Sequence, residues 1–544
     1  MSYPTRNNPY HFDEFLSWRE NVDYYADDPF LQELVRYFTT EEWDQVDAEA
    51  RAFSQKASFR WRELSEETAR PEKRPFLIHY DGHHNRIDRI VRPKETEILG
   101  QEVFSEALFS DKTLPWVQRI KYFLISQNGE GCITCPISCT TGLIRLLEKY
   151  ADSPETKRIL QHCKEGINGE FGIGAQYVSE IQGGSDVPAN VLEAVNEGGV
   201  WLLYGTKFFC SATHADYSVV TAKPTGSEEV ALFVVPSWLP GNKEKEIRNG
   251  YTIDRIKWKL GTSELITGEL TYTGAVAYPV GPLNKGVSNV VGLVLTYSRL
   301  DLVLGSAAFM TRAAREATKY AEFRKAFGMP VANFPLVAIE LDRINHSAKQ
   351  TTAGAFKLCR DFLELEMAEK KGQPKKESEE FRRKRFEVRE LIMLLKITAS
   401  LDCTNTIHEA MSIFGGHGVM EDFSSLPRLY RDSAINELWE GPRNVLLTQI
   451  HRDLQKAASW YKPADFVRNI LKGLDHKMVA PLAAELTELV AHPDLFHPGA
   501  KTIEICRRLD AFASNFSHFY QDLALQDLSY GEEREERKLR DVAS

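Results

Sequence analysis

The stretch from about Phe171 to Gly281 constrains this chain most, because its texture differs from everything on either side. Trp201-Leu202-Leu203-Tyr204, Tyr217-Ser218-Val219-Val220-Thr221 and Val230-Ala231-Leu232-Phe233-Val234-Val235 are β-rich runs, punctuated by Gly, Pro and Ser and by Asn242 and Asn249. Short strands at this spacing predict a small antiparallel sandwich or barrel. No helical crossover lies between them, which argues against a doubly wound parallel sheet. Helical patterns flank this stretch. From about Tyr10 to Glu170, Asp27 can cap a helix whose Phe30, Leu31, Leu34, Val35 and Phe38 share one apolar face. Thr39 and Thr40 look like a second helix start before Trp43, and Pro136 to Tyr150 is also helix-like. Long helical patterns return from about Asn289 to Ser459. Within them the charged run 369–389 predicts a solvated helix–loop–helix junction turning at Gly372 and Pro374. A last helical block runs from about Ala464 onward, and its tail, 532–540, mixes both signs as an exposed helix end does. The expected fold is mainly α with a small β domain, divided near 1–170, 171–288, 289–459 and 460–544.

The chain's 544 residues suffice for two to four cores. The formal net charge of −10 makes it a poor non-specific binder of nucleic acid unless its basic residues cluster. No basic arm is found near the C-terminus, where 471–544 holds 9 Lys and Arg against 13 Asp and Glu. The opening residues Met1 to Asn8 lack the apolar core of a secretory signal, and no uninterrupted apolar run approaches a bilayer span. The 8 scattered cysteines read as reduced thiols, so a cytoplasmic location is expected.

Neither a G-x-x-x-x-G-K-[ST] loop nor a G-x-G-x-x-G turn is present, so a nucleotide cofactor must be held another way. Four segments are candidates. Tyr177-Val178-Ser179-Glu180-Ile181-Gln182-Gly183-Gly184-Ser185 joins backbone N–H groups freed by glycine to Ser hydroxyls, although such a run is also ordinary turn chemistry. Lys207-Phe208-Phe209-Cys210-Ser211 sets an aromatic beside a hydroxyl, which suits a flat heterocycle and equally suits a strand core. Arg324-Lys325-Ala326-Phe327-Gly328 offers a guanidinium for a pyrophosphate and a ring for a base, or simply a helix C-terminus. Ile413-Phe414-Gly415-Gly416-His417-Gly418 precedes Trp439-Glu440-Gly441. There Glu440 sits between an aromatic and a glycine, a setting that desolvates a carboxylate and raises its pKa. A base for a weakly acidic C–H needs such a group.

In this order the four segments resemble the acyl-CoA dehydrogenase superfamily, over roughly 136–456. The succession of helices, β domain and helical bundle, and the 25-residue spacing of Arg299 and Arg324, resemble it too. The chain looks similar to the AidB-like branch in Tyr80-Asp81 with Arg86-Ile87-Asp88, in Cys135-Pro136-Ile137-Ser138, and in an added C-terminal helical domain. The resemblance implies bound FAD and α,β-dehydrogenation of an acyl-CoA to a 2,3-enoyl-CoA. It implies Glu440 as the base, with the Glu440 N–H polarising the thioester carbonyl and the β-hydrogen leaving as hydride to the flavin. It sets Arg299, Ser185 and Gly441 near substrate. Val178, Ser179, Ser185, Phe209, Ser211 and Asn444 would contact FAD, and Arg324, Phe327, Ser412, Gly415 and Gly416 the FAD of a neighbouring subunit. A homo-oligomer and an electron-transferring flavoprotein as redox partner follow by the same resemblance. The alternative it leaves is a flavoprotein of stress response that binds acyl-CoA or DNA without turnover.

The chain departs from the family pattern in places. Ser298 occupies the family's other base position and cannot serve as one. Pro442, Asn444, Ser412, Pro335, Ser211 and Phe209 replace residues more usual there. Cys132, Cys135 and Cys139 lack an evident fourth ligand, and His79, His83 and His84 fit a surface turn around Gly82, so no metal is expected.

Overall fold

The structure, a computed structural model, describes residues 11–370 and 378–543, with side chains to residue 528. Gly372, Pro374, the opening residues and the side chains of the 532–540 tail lie outside that description.

The strands are β1 (Phe76–Tyr80), β2 (Arg86–Val91), β3 (Gly174–Tyr177), β4 (Glu193–Glu197), β5 (Val200–Ser211), β6 (Tyr217–Pro224), β7 (Ala231–Pro236), β8 (Tyr251–Ile256), β9 (Thr267–Pro279), β10 (Lys325–Ala326) and β11 (Met329–Pro330). β3 to β9 form one sheet in the order β3-β6-β4-β5-β9-β7, and a further β6–β7 pairing closes it into a barrel, with β8 added against β9. Ser218 to Ala222 of β6 and every residue of β7 are buried, so these strands are covered on both faces and do not alternate. The expectation of an antiparallel sheet is corrected. β3 and β4 both run parallel to β6, with Gly174 opposite Tyr217 and Glu193 opposite Lys223. A parallel pair needs a long crossover, and here strands β4 and β5 supply it where a helix usually would.

In the N-terminal region Asp28, not Asp27, caps the helix Pro29–Thr39, by accepting from the Leu31 N–H. Asp27 instead accepts from the Asp23 N–H at 2.8 Å. The helical texture there also hides a hairpin, β1–β2, turning at 81–85. It docks on the barrel through Asp88, whose Oδ2 accepts from the Ile253 N–H at 3.0 Å and whose Oδ1 pairs with His79 Nδ1 at 2.7 Å.

The helix Leu295–Phe323 is the axis of the second helical region, packed between Pro335–Lys370 and Glu379–Phe414. With the turns before it, Gly286–Phe323 is long and apolar enough to cross a membrane, but it is mostly buried inside the bundle. The buried pair Arg119–Asp301, at 2.6 Å, ties it to the helix Pro115–Ser126. The last helix, Ala500–Ala543, lies along Pro335–Lys370 and Glu379–Phe414. The fold class is the one expected: helices, a small β barrel, a helical bundle and an added helical region.

Candidate active site

A cavity of about 450 Å³ opens where barrel and helices meet. Its walls hold Val178, Ser179 and Ser185 after β3, Phe209 and Ser211 from β5, Arg299 from the axial helix, and Glu440 and Gly441 from the turn before the helix Arg443–Ala457. Residues from four distant segments of sequence thus share one space.

The loop after β3 is braced from below. Lys207 is fully buried and donates to Glu180 Oε1 at 2.8 Å, to the Val178 carbonyl at 3.2 Å and to Thr221 Oγ1 at 2.8 Å. Glu180 in turn accepts from the Val191 and Leu192 N–H groups. Burial pushes the Lys207 ammonium down to about 8, against the pull of Glu180. Gly184 makes the close approach possible: a Cβ there would stand 2.3 Å from Ser179 Oγ. Phe209, 40 % exposed, presents its ring to the cavity, and Ser211 Oγ lies 3.1 Å from Thr267 Oγ1.

Glu440 occupies the left-handed region at φ 57°, followed by Gly441 at φ 102°. A non-glycine residue held there marks a conformation imposed by its surroundings. Those surroundings are specific. Gln176 Nε2 donates to Glu440 Oε1 at 2.5 Å and lies 3.4 Å from Ser298 Oγ. Arg299 Nε donates to the Glu440 carbonyl at 3.0 Å. Lys396 Nζ donates to the carbonyls of Glu437 and Gly441 at 3.0 and 2.9 Å. Burial raises the Glu440 carboxyl to about 7, opposed by Arg299, Lys396, Gln176 and Ser298. A carboxylate so tuned matches the ideal of a general base with its pKa near the working pH.

Sequence reasoning missed Gln176 and Lys396. Gln176 stands two residues before Val178, so strand alternation alone puts both on one face. Lys396 carries no local signal, being one lysine in a long helix. Asn444 does not line the main cavity but an adjoining hollow that shares Leu438 and Pro442 with it, beside Leu447 and Thr448 and beneath Leu509 and Asp510 of the last helix. Helical periodicity gives the reason, since Val445 and Gln449 of the same helix face the main cavity. Arg324, Phe327, Ser412, Gly415 and Gly416 do not line the cavity either. They gather at the far end of the bundle, where Tyr320 stacks on Phe414 at 4.2 Å and bonds His417 Nδ1 at 3.0 Å. Phe327 is 94 % exposed there, at φ 49°. Cys135 and Cys139 line the cavity with their sulfurs 3.8 Å apart.

Two family models match: acyl-CoA dehydrogenase, middle domain, over residues 175–275, and acyl-CoA dehydrogenase, C-terminal domain, over residues 284–455. The chain belongs to the acyl-CoA dehydrogenase family. It is 27% identical over 450 residues to acyl-CoA dehydrogenase family member 11 of Caenorhabditis elegans, covering 79% of this chain and 70% of that protein. It is 28% identical over 411 residues to the putative acyl-CoA dehydrogenase AidB of Escherichia coli, covering 71% of this chain and 70% of that one. The solved structure of Caenorhabditis elegans ACDH-11 in complex with C11-CoA superposes with a TM-score of 0.79 at 24% identity, over 93% of this chain and 87% of that one. As a member of the acyl-CoA dehydrogenase family the protein is an FAD-dependent oxidoreductase. The cavity suits that cofactor chemically. The exposed Phe209 ring matches a flat heterocycle, and the hydroxyls of Ser179, Ser185 and Ser211 supply donors beside it.

Proposed function

We propose that this protein removes hydrogen across the α,β bond of an acyl-CoA thioester, with Glu440 taking the α-proton. One observation carries the reading: a carboxylate tuned to about 7 stands on the wall of the same cavity as Val178, Ser179, Phe209 and Ser211, held in a left-handed turn that two helices and β3 fix. FAD, when bound, supplies the acceptor for the β-hydride. The chain's own groups do the rest. Gln176 orients the Glu440 carboxylate through Oε1, and Arg299 holds the peptide carbonyl of the same residue. The Glu440 N–H is the donor we assign to the thioester carbonyl, lowering the pKa of the α-carbon as the proton moves to the carboxylate. Positioned proton transfer of this kind contributes roughly 10²–10⁴ in rate.

The C11-CoA in the ACDH-11 complex makes a medium-length chain the first to test. The electron acceptor we assign is an electron-transferring flavoprotein, and the assembly a homo-oligomer in which Arg324, Phe327, Ser412, Gly415 and Gly416 reach a neighbour's cofactor. The experiment is anaerobic addition of linear, branched and cyclic saturated acyl-CoAs to the purified holoprotein. Bleaching of the flavin that Glu440→Gln abolishes supports the reading. Tight acyl-CoA binding without bleaching by any thioester overturns it in favour of a binding protein.

A further inference from the structure

Lys396 lies near the middle of the helix Glu379–Phe414 and is wholly buried. A buried ammonium is costly unless its hydrogen bonds and charge are met. Its ammonium donates to two backbone carbonyls, those of Glu437 and Gly441, which bracket Glu440 in sequence. Two charge-assisted bonds from one nitrogen therefore pin both sides of the turn that carries the base. The turn needs such a clamp, because Glu440 and Gly441 both hold positive φ.

The charges around this pair come from several elements. The axial helix contributes Arg299, β3 contributes the neutral amide of Gln176, and the turn itself contributes Glu437. Arg389 and Glu390 on the helix of Lys396, and Asp453 on the helix Arg443–Ala457, act on Arg299. Among these, Glu440 is the strongest influence raising the Lys396 pKa, and Lys396 and Arg299 are the two cations that lower the pKa of Glu440. Arg299 bonds the carbonyl of Glu440, and Lys396 bonds the carbonyls around it.

We infer that Lys396 is a positioning residue for the dehydrogenation: its ammonium clamps the Glu437–Gly441 turn and supplies positive charge that favours the ionised Glu440 carboxylate. The inference rests on the proposed role of Glu440 as base. Burial draws the lysine's own pKa down to about 7, so clamp and base titrate over one pH range. Loss of the ammonium proton at higher pH removes the charge but leaves an amine that still donates to both carbonyls.

The test follows the rate of flavin bleaching by an acyl-CoA against pH in the holoenzyme, for wild type, Lys396→Arg, Lys396→Gln and Lys396→Met. FAD content and near-ultraviolet circular dichroism establish that each variant is folded. Lys396→Gln keeps a donor and removes the charge, so its midpoint is expected to move up by about one pH unit, a tenfold lower rate at pH 6 that is regained at alkaline pH. Lys396→Met loses donor and charge, and is expected to show the same upward move together with a lower plateau. Lys396→Arg is expected to restore the wild-type midpoint. If Lys396→Met does not retain FAD, the Gln and Arg variants decide between themselves. A Lys396→Gln midpoint equal to wild type overturns the inference, whatever its plateau and whatever the Met variant shows. A Glu440→Gln variant that still bleaches overturns the base assignment itself, and that result is separate from any Lys396 profile.

Discussion

Glu440 and Gly441 show how much chemistry two residues carry when the backbone is held in an uncommon conformation. With the Glu440 carboxyl raised to about 7, the fraction ionised grows with pH and levels off above that value. The rate of anaerobic flavin reduction is therefore expected to rise through pH 6 to 8, with about a tenth of the plateau at pH 6, measured by stopped flow. A rate independent of pH over that range contradicts the base assignment. Gly441 has a different liability. A Cβ there would stand 2.9 Å from Leu446 Cδ2, at φ 102°. Gly441→Ala is expected to cost ~1–3 kcal/mol of stability from backbone strain. It is also expected to slow flavin reduction more than that loss explains, because the peptide beside the base must move. Denaturant unfolding and stopped flow on one preparation separate the two effects.

At the scale of elements, the loop after β3 and the axial helix each show a device that shapes the cavity. The loop carrying Val178, Ser179 and Ser185 rests on the buried Lys207–Glu180 pair. Removing one partner leaves the other charge buried and unpaired, which costs roughly 3–5 kcal/mol. Lys207→Met is expected to lose stability on that scale and to release FAD more readily, read by denaturant unfolding and by flavin retention on gel filtration. On the axial helix, Gly305 lies six residues beyond Arg299, about 9 Å along the axis. A Cβ there would meet Tyr122 Oη at 3.6 Å and Ser126 Oγ at 3.9 Å, so the missing side chain leaves room at that level of the cavity. Gly305→Val is expected to lower kcat/KM for long acyl chains while sparing short ones, measured over a chain-length series. Part of what built the molecule's elements was legible in sequence: the β-rich runs of β5, β6 and β7, the apolar face of Pro29–Thr39, the glycine-rich runs. The parallel pairing to β6 and the β1–β2 hairpin were not, because pairing partners are chosen by contacts across the sheet and no local pattern records them.

At the scale of the whole molecule, three carboxyls from three regions meet in a buried joint. Asp432 Oδ2 accepts from the Glu130 N–H at 3.2 Å and Oδ1 from the Thr262 N–H at 2.6 Å, while Glu264 lies buried beside them with Lys259 close by. Burial and the charge of Glu264 raise Glu130 to about 8 and Asp432 to about 7. Both values lie above the unfolded ones of ~4, so the folded state holds these protons more tightly. Stability from this joint is accordingly full below about pH 4 and is lost as pH rises toward 7 and 8. Glu264→Gln removes a charge that opposes ionisation of both neighbours. Its Tm is expected to fall less than that of wild type between pH 6 and pH 9, and parallel Tm curves contradict this account of the joint.

The sequence by itself determined the class of fold and singled out Val178, Ser179, Ser185, Phe209, Ser211, Arg299, Glu440 and Gly441, which the cavity wall brings together. Helical and strand periodicity are local, and the segments around Val178, Phe209, Arg299 and Glu440 carry their chemistry in residue type and spacing. Tertiary structure decided how Glu440 is tuned and which flanking residues face the cavity. Gln176, Lys396 and Arg299 converge on one turn from β3 and two separate helices, while Asn444, adjacent to the cavity-lining Val445 in sequence, turns to another hollow. The physical reason is range. A desolvated carboxylate takes its pKa and its conformation from charges and hydrogen bonds within a few ångströms in space, and only folding brings those groups together.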